Sequence, residues 1–134
     1  MNESPKVAII GGGAAGFFAA IALKERRPDV AVTIYEAQAR VLSKLALTGG
    51  GRCNLTNTFA GVKNLQDVYP RGARLMKKCF YELDQSAVWK WFERHHVKLY
   101  AQDDGRVFPV SNRAAEITEM FVDEARRLGV TVVT

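Results

Sequence analysis

The chain has 134 residues, 48% of them hydrophobic and 25% charged, a composition that excludes a disordered or fibrous protein and sets the expectation of a single globular core. Nineteen Lys and Arg against 14 Asp and Glu leave a net charge of +5, with acids interleaved among the bases and no reading module, so no nucleic-acid partner is expected. Cys53 and Cys79 form neither a CxxC pair nor a cluster at metal-ligand spacing, which excludes a disulfide framework and a zinc site and points to a reducing cytoplasm.

Lys6-Val7-Ala8-Ile9-Ile10 is a β-branched run ending at glycine, which predicts a strand buried on both faces of a parallel sheet. Ala14 to Glu25 predicts a helix, apolar nearly all round until Lys24 and therefore buried. Arg27-Pro28-Asp29 ends it, because proline lacks the donor and restricts the residue before it. Residues 7 to 23 carry no charge, but the glycine triplet within them breaks any continuous helix, so neither a membrane span nor a targeting segment is expected. Val30 to Tyr35 predicts a second buried strand ending at Glu36, which completes a βαβ unit over residues 5–36 with its strands parallel.

From Ala37 to Asn57 the periodicity is lost, and a long functional loop with a short helical turn is expected, glycine-rich over residues 43–57. A helical segment over 72–128 follows. It comprises a helix from Gly72 to Leu83 and one from Ser86 to His96 whose Val88, Trp91 and Phe92 share a face. Short strands at Val97 to Tyr100 and Arg106 to Phe108 join across Asp103-Asp104-Gly105. A third helix, capped by Ser111 or Asn112, runs to Leu128 with Ile117, Phe121, Ala125 and Leu128 on one stripe. Gly129 stops it, and Val130 to Thr134 predicts a terminal strand. The fold class is α/β, a Rossmann-like dinucleotide-binding domain with a parallel sheet. Because the last strand meets the end of the chain, the domain is expected to be the amino-terminal part of a longer protein, incomplete at its carboxyl-terminal end. The open edge of the first strand is then expected to favour dimerisation.

Gly11-x-Gly13-x-x-Gly16 joins a strand to a helix, and Glu36 follows twenty residues beyond the last glycine, which is the setting of a pyrophosphate turn. Gly11 allows the tight turn, Gly13 lets the backbone approach the phosphates, and Gly16 lets the helix pack closely. The N–H groups of Ala14 and Ala15, with the positive end of the helix dipole, face the phosphate charge. Glu36 can accept from both adenosine ribose hydroxyls and would repel a 2′-phosphate. A P-loop is excluded, since Phe17-Phe18 stand where its Lys-Ser/Thr should follow.

Thr48-Gly49-Gly50-Gly51-Arg52-Cys53-Asn54-Leu55-Thr56-Asn57 is the most unusual stretch. Three consecutive glycines let N–H groups converge on an anion or a flat ring; Arg52 adds fixed charge, Asn54 adds donors and acceptors, and Lys44 can reach a phosphate. Cys53 reads as a small apolar side chain beside the cofactor rather than a redox centre. His95 and His96 read as solvent-facing, and Trp89 and Trp91 as packing.

Together, Gly11 to Gly16, Glu36, Lys44, the Thr48 to Asn57 run and Gly105-Arg106-Val107-Phe108-Pro109-Val110-Ser111 resemble the BaiN/RdsA-like family of NAD(P)/FAD-dependent flavoproteins, some of whose members are labelled aminoacetone oxidase-like. The similarity covers essentially the whole chain, and the Thr48 to Asn57 run is its most specific part. The resemblance implies an FAD enzyme in which the first glycine turn and Glu36 hold the ADP moiety while the second glycine loop lies along pyrophosphate and flavin. It also implies a longer protein, with an inserted domain and a returning segment. Ser43 stands where the resemblance implies glycine. The expected activity is that of a flavin-dependent oxidoreductase passing electrons from NAD(P)H through FAD to a small-molecule substrate. The rival expectations are an NAD-binding dehydrogenase domain, which leaves the Thr48 to Asn57 loop unexplained, and a dinucleotide-binding fragment without turnover.

Overall fold

The computed structural model describes residues 4–134. Their contacts gather into two compact units: one is the chain up to Cys53 together with Arg113–Thr134, the other Asn54–Asn112. The single core expected from chain length is thus divided, because the segment between the loop and the last helix finds enough apolar partners within itself.

In the first unit, β1 (Lys6–Ile10), α1 (Ala14–Arg26) and β2 (Ala31–Tyr35) form the expected βαβ unit, and β6 (Thr131–Val133) adds a third strand. The sheet order is β1-β2-β6, parallel throughout, with Val7 opposite Val32, Ile9 opposite Ile34 and Tyr35 opposite Val133. α1 lies against β1 and β2, and α6 (Ala114–Arg127) lies against α1. Phe17, Ala20 and Ile21 of α1 and Ile117, Phe121 and Ala125 of α6 are buried with Val32 and Ile34. Phe17 and Phe121 meet at a ring-centroid distance of 6.2 Å. Three of the four predicted stripe residues of α6 are buried, and Leu128 is half-buried.

Three details differ from the sequence expectation. β1 is not buried on both faces. Successive side chains alternate across a strand, and in this register Ile10, Tyr35 and Val133 share the face opposite Val32 and Ile34. They are 83%, 44% and 43% exposed, so among the described residues only one face of the sheet is covered. α1, expected to be buried, likewise keeps one side in solvent, at Ala14, Ala15 and Ala19. Finally, the N-cap of α6 is Arg113, with no side-chain capping bond, rather than Ser111 or Asn112.

The second unit holds an antiparallel sheet, ordered β3-β5-β4, from β3 (Thr56–Asn57), β4 (Leu99–Ala101) and β5 (Arg106–Pro109). The two-residue β3 lies inside the expected loop. The unit also holds α3 (Leu65–Val68), α4 (Ala73–Glu82) and α5 (Gln85–Arg94); α5 lies against β3 and β4, and α3 against α4. α3 has no counterpart among the predicted elements; Asn64 caps it by accepting from Gln66 N at 3.0 Å. Trp91 and Phe92 are buried. His95 is half-buried rather than solvent-facing, its ring 4.2 Å from that of Trp91, whereas His96 is exposed.

Asp84 caps α5, its Oδ1 accepting from Ala87 N at 2.7 Å. Asp84→Ala should therefore cost about 1 kcal/mol, read as a lower urea midpoint at unchanged slope; an unchanged midpoint would remove the cap from the account of this helix.

Candidate functional site

The turn between β1 and α1 is built almost wholly from backbone. Gly11 continues the sheet by donating to Tyr35 O at 2.7 Å, then takes φ +107°, a left-handed value that a side chain opposes. Gly13 is the N-cap of α1, extended at φ −90° and ψ −174°, with no described side chain bonded to the first-turn amides and no acid in that turn. A Cβ placed on Gly13 would meet nothing within 4 Å. Ala14 and Ala15 are exposed, so the start of the helix offers open N–H groups to an anion. Gly16 is required for a different reason: its Cβ would overlap the carbonyl oxygen of Gly11 and lie 3.4 Å from Ile9 Cγ2. The close packing expected of this glycine is therefore against the turn itself.

Glu36 ends β2 beside that turn. Its Oε2 accepts from Gly12 N at 2.7 Å and its Oε1 from Gln38 N at 2.8 Å. These amides hold its carboxyl below the ordinary carboxylate range: Gln38 contributes most, then Gly12, while partial desolvation opposes them and Lys44 adds a small favourable charge. The anionic form is thereby secured at neutral pH. Gly12 is buried, and its carbonyl accepts from Leu42 N at 2.8 Å, which ties the turn to the loop beyond β2.

Along that loop Leu42 is buried at φ +57°, and Ala46 N donates back to its carbonyl. Lys44 is exposed at the start of the 3-10 turn Leu45–Leu47, and Ser43 is exposed beside it. The glycine triplet follows in the single turn α2 (Thr48–Gly51). Gly49, Gly50 and Gly51 have φ of 57°, 68° and 84°, a left-handed run costing a side chain roughly 1–2 kcal/mol per residue. Open space surrounds the Cβ positions of Gly50 and Gly51, so backbone shape rather than crowding calls for glycine there. Arg52 Nε donates to Gly49 O at 3.2 Å and closes the turn. Cys53 N donates to Thr48 O at 3.0 Å, and Thr48 Oγ1 to Leu45 O at 2.8 Å.

Cys53 is buried and itself left-handed, at φ +62°. Burial pushes its thiol up, against a smaller opposing effect from Thr48. A protonated, enclosed thiol is a packing group rather than a nucleophile. Asn54 belongs to the second unit. With its amide nitrogen turned toward them, it donates to Thr56 O at 3.0 Å and Val107 O at 3.2 Å.

The structure thus brings Gly11, Gly13, Ala14, Ala15, Gly16 and Glu36 into one turn. Leu42 ties the start of the loop that carries Lys44 to that turn, while the Gly49 to Cys53 run is bonded within itself and, through Thr48, to Leu45. Gly12 and Leu42 are the contributors that sequence reasoning passes over. For Gly12 the signal is the uninterrupted triplet, in which the middle residue is glycine too; for Leu42 there is none.

The HI0933-like protein Rossmann domain matches residues 5–134. The chain belongs to the HI0933-like family. This is the BaiN/RdsA-like resemblance carried by the two glycine motifs. Among curated relatives of the family, the 3-dehydro-bile acid delta(4,6)-reductase of Clostridium scindens is 33% identical, over 96% of this chain and 31% of its own length. The ribosomal RNA dihydrouridine synthase of Escherichia coli is 31% identical, over 92% of this chain and 29% of its own. The HI0933-like chain therefore spans about a third of the length of the curated relatives it matches. The crystal structure of Thermovibrio ammonificans THI4 aligns with a TM-score of 0.58 at 16% identity, over 97% of this chain and 37% of that one, a likeness of fold alone.

Proposed function

We propose that this HI0933-like chain is the FAD-binding part of a flavin-dependent oxidoreductase that takes electrons from NAD(P)H and delivers them to a small-molecule acceptor. The observation that carries this reading is the open, uncapped start of α1 at Gly13, with the Glu36 carboxylate held beside it. The fit to a dinucleotide is good: the amides suit a pyrophosphate, the carboxylate suits ribose hydroxyls, and there is room for backbone-to-phosphate contact at Gly13. One curated relative is named as a reductase, which agrees with electron transfer to an organic substrate. The free thiols Cys53 and Cys79 suit a reducing cytoplasm.

In this reading bound FAD supplies the two-electron chemistry, and the protein supplies binding, orientation and electrostatics. Ala14 and Ala15 donate their N–H groups to the pyrophosphate. Glu36 accepts from the adenosine ribose and excludes a 2′-phosphate. Lys44 balances phosphate charge, and the left-handed Gly49 to Gly51 turn presents backbone to the flavin half.

The test is a titration of the chain with FAD, ADP and NADP. The expected outcome is saturable quenching of flavin fluorescence, relieved by ADP and not by NADP at equal concentration. A chain that binds neither FAD nor ADP would overturn the reading. Glu36 suits NAD equally well, so ADP-competable NAD binding without any flavin binding would transfer the conclusion to an NAD-dependent dehydrogenase domain.

A further inference from the structure

A ribose ligand at the end of a strand needs only to be an exposed acid, yet both oxygens of Glu36 already accept main-chain hydrogen bonds. Oε2 receives Gly12 N–H at 2.7 Å, across 24 residues of sequence, and Oε1 receives Gln38 N–H at 2.8 Å. Gly12 is buried, and a Cβ there would lie 2.9 Å from Val41 Cγ1 and 3.0 Å from Glu36 Cβ. The residue is therefore wedged between two side chains with its N–H directed at one carboxylate. Its carbonyl is also engaged, by Leu42 N at 2.8 Å. A buried N–H that loses its acceptor bears the full desolvation penalty, and Gly12 has no other described acceptor.

We propose that Glu36 is a positioning residue for the glycine turn, holding it in nucleotide-binding shape through Gly12 N–H whether or not a nucleotide is present. A carboxylate has about four acceptor positions. Gly12 of the turn occupies one and Gln38 another, which leaves acceptor positions for ribose hydroxyls, so one side chain fixes the phosphate cradle and reads the sugar. It follows that exchanging Glu36 for a cation, the obvious way to admit a 2′-phosphate, removes the acceptor on which the turn rests. Glu36→Arg is then expected to lose FAD without gaining NADP.

The experiment is thermal melting of the full chain without added nucleotide, with FAD titration in parallel, for wild type, Glu36→Gln and Glu36→Ala. Glutamine keeps one acceptor oxygen, so Glu36→Gln should hold most of the wild-type midpoint, while Glu36→Ala should fall by about 5 °C. Acid dependence separates the charge from the hydrogen bond. The folded carboxyl lies below its ordinary value, so its contribution is present above about pH 4.3 and is lost as pH falls through the folded pKa. The charged group facing it is Lys44, and its other partners are the amides of Gln38, Gly12 and Ala37. Melting of wild type should therefore lose stability below about pH 4 more steeply than melting of Glu36→Gln. If Glu36→Ala melts with wild type in the absence of nucleotide and only weakens FAD, Glu36 is a ribose ligand and nothing more. If alanine and glutamine lower the midpoint equally, the hydrogen bond to Gly12 is not what positions the turn. The melting comparisons are made without nucleotide, so they do not depend on which nucleotide binds.

Discussion

Gly16→Ala is expected to destabilise the chain by about 3 kcal/mol or more, at the upper end of what overpacking costs. On propensity alone the change should help, since alanine inside a helix is worth roughly 0.5–1 kcal/mol over glycine. Crowding reverses the sign. The new Cβ would overlap the Gly11 carbonyl oxygen and approach the Gly11 carbonyl carbon to 3.3 Å. Both are main-chain atoms, and Gly11 is pinned to the sheet through its bond to Tyr35 O, so no flexible side chain can swing away. Either α1 lifts from β1 or the turn opens. Urea unfolding measures the effect; a Gly16→Ala chain with the wild-type midpoint would mean that the helix leaves room for a Cβ beside the Gly11 carbonyl.

The second large effect separates binding from folding. Gly13 is the N-cap of α1 in extended geometry, with a free Cβ position, so aspartate fits there without strain. Aspartate is among the best N-cap residues, and its carboxylate bonds to the N–H groups of the second or third helical residue. Gly13→Asp should leave stability unchanged or raise it by a few tenths of a kcal/mol. The same carboxylate would fill the anion site with the protein's own charge. Weakening of FAD by at least about 100-fold is expected, which corresponds to about 2.7 kcal/mol. Equilibrium dialysis against FAD, paired with a melting curve, reads both quantities. Undiminished FAD binding by a well-folded Gly13→Asp chain would mean that the pyrophosphate does not sit at the start of α1.

The contrast between these two glycines shows what can be read from a sequence. The strand, turn and helix from Lys6 to Arg26 are legible because they rest on local rules: a β-branched run, glycines at fixed spacing, and Pro28 after the helix. Spacing also ranks Gly11, Gly13 and Gly16 as a set, but it does not reveal that Gly16 meets main chain while Gly13 meets open space. The role of Gly12 depends on a carboxylate 24 residues away, beyond the reach of any window on the sequence. The exposed face of β1 is hidden for a related reason. Its apolar composition states that the strand is suited to burial on both sides, and only the packing shows that α1 attends to one of them. β3 is illegible because two residues carry no periodicity, and the Arg113 cap because Ser111 and Asn112 are better capping types one and two positions earlier.

The order in which the chain can be completed follows from the division into two units. Asn54–Asn112 is continuous, and its sheet joins strands that lie close in sequence or are bridged by the three helices α3, α4 and α5. The nucleotide-binding unit is interrupted by it: β2 waits for β6, whose partnered residues lie about 100 positions later, and Phe17 waits for Phe121. Contacts so far apart carry a larger loop-closure entropy and form slowly. Early collapse of the intervening segment would bring its two ends together and shorten the effective loop. The part of the molecule that contributes no residue to the glycine turn is then the part that sets how quickly the turn acquires its supporting sheet.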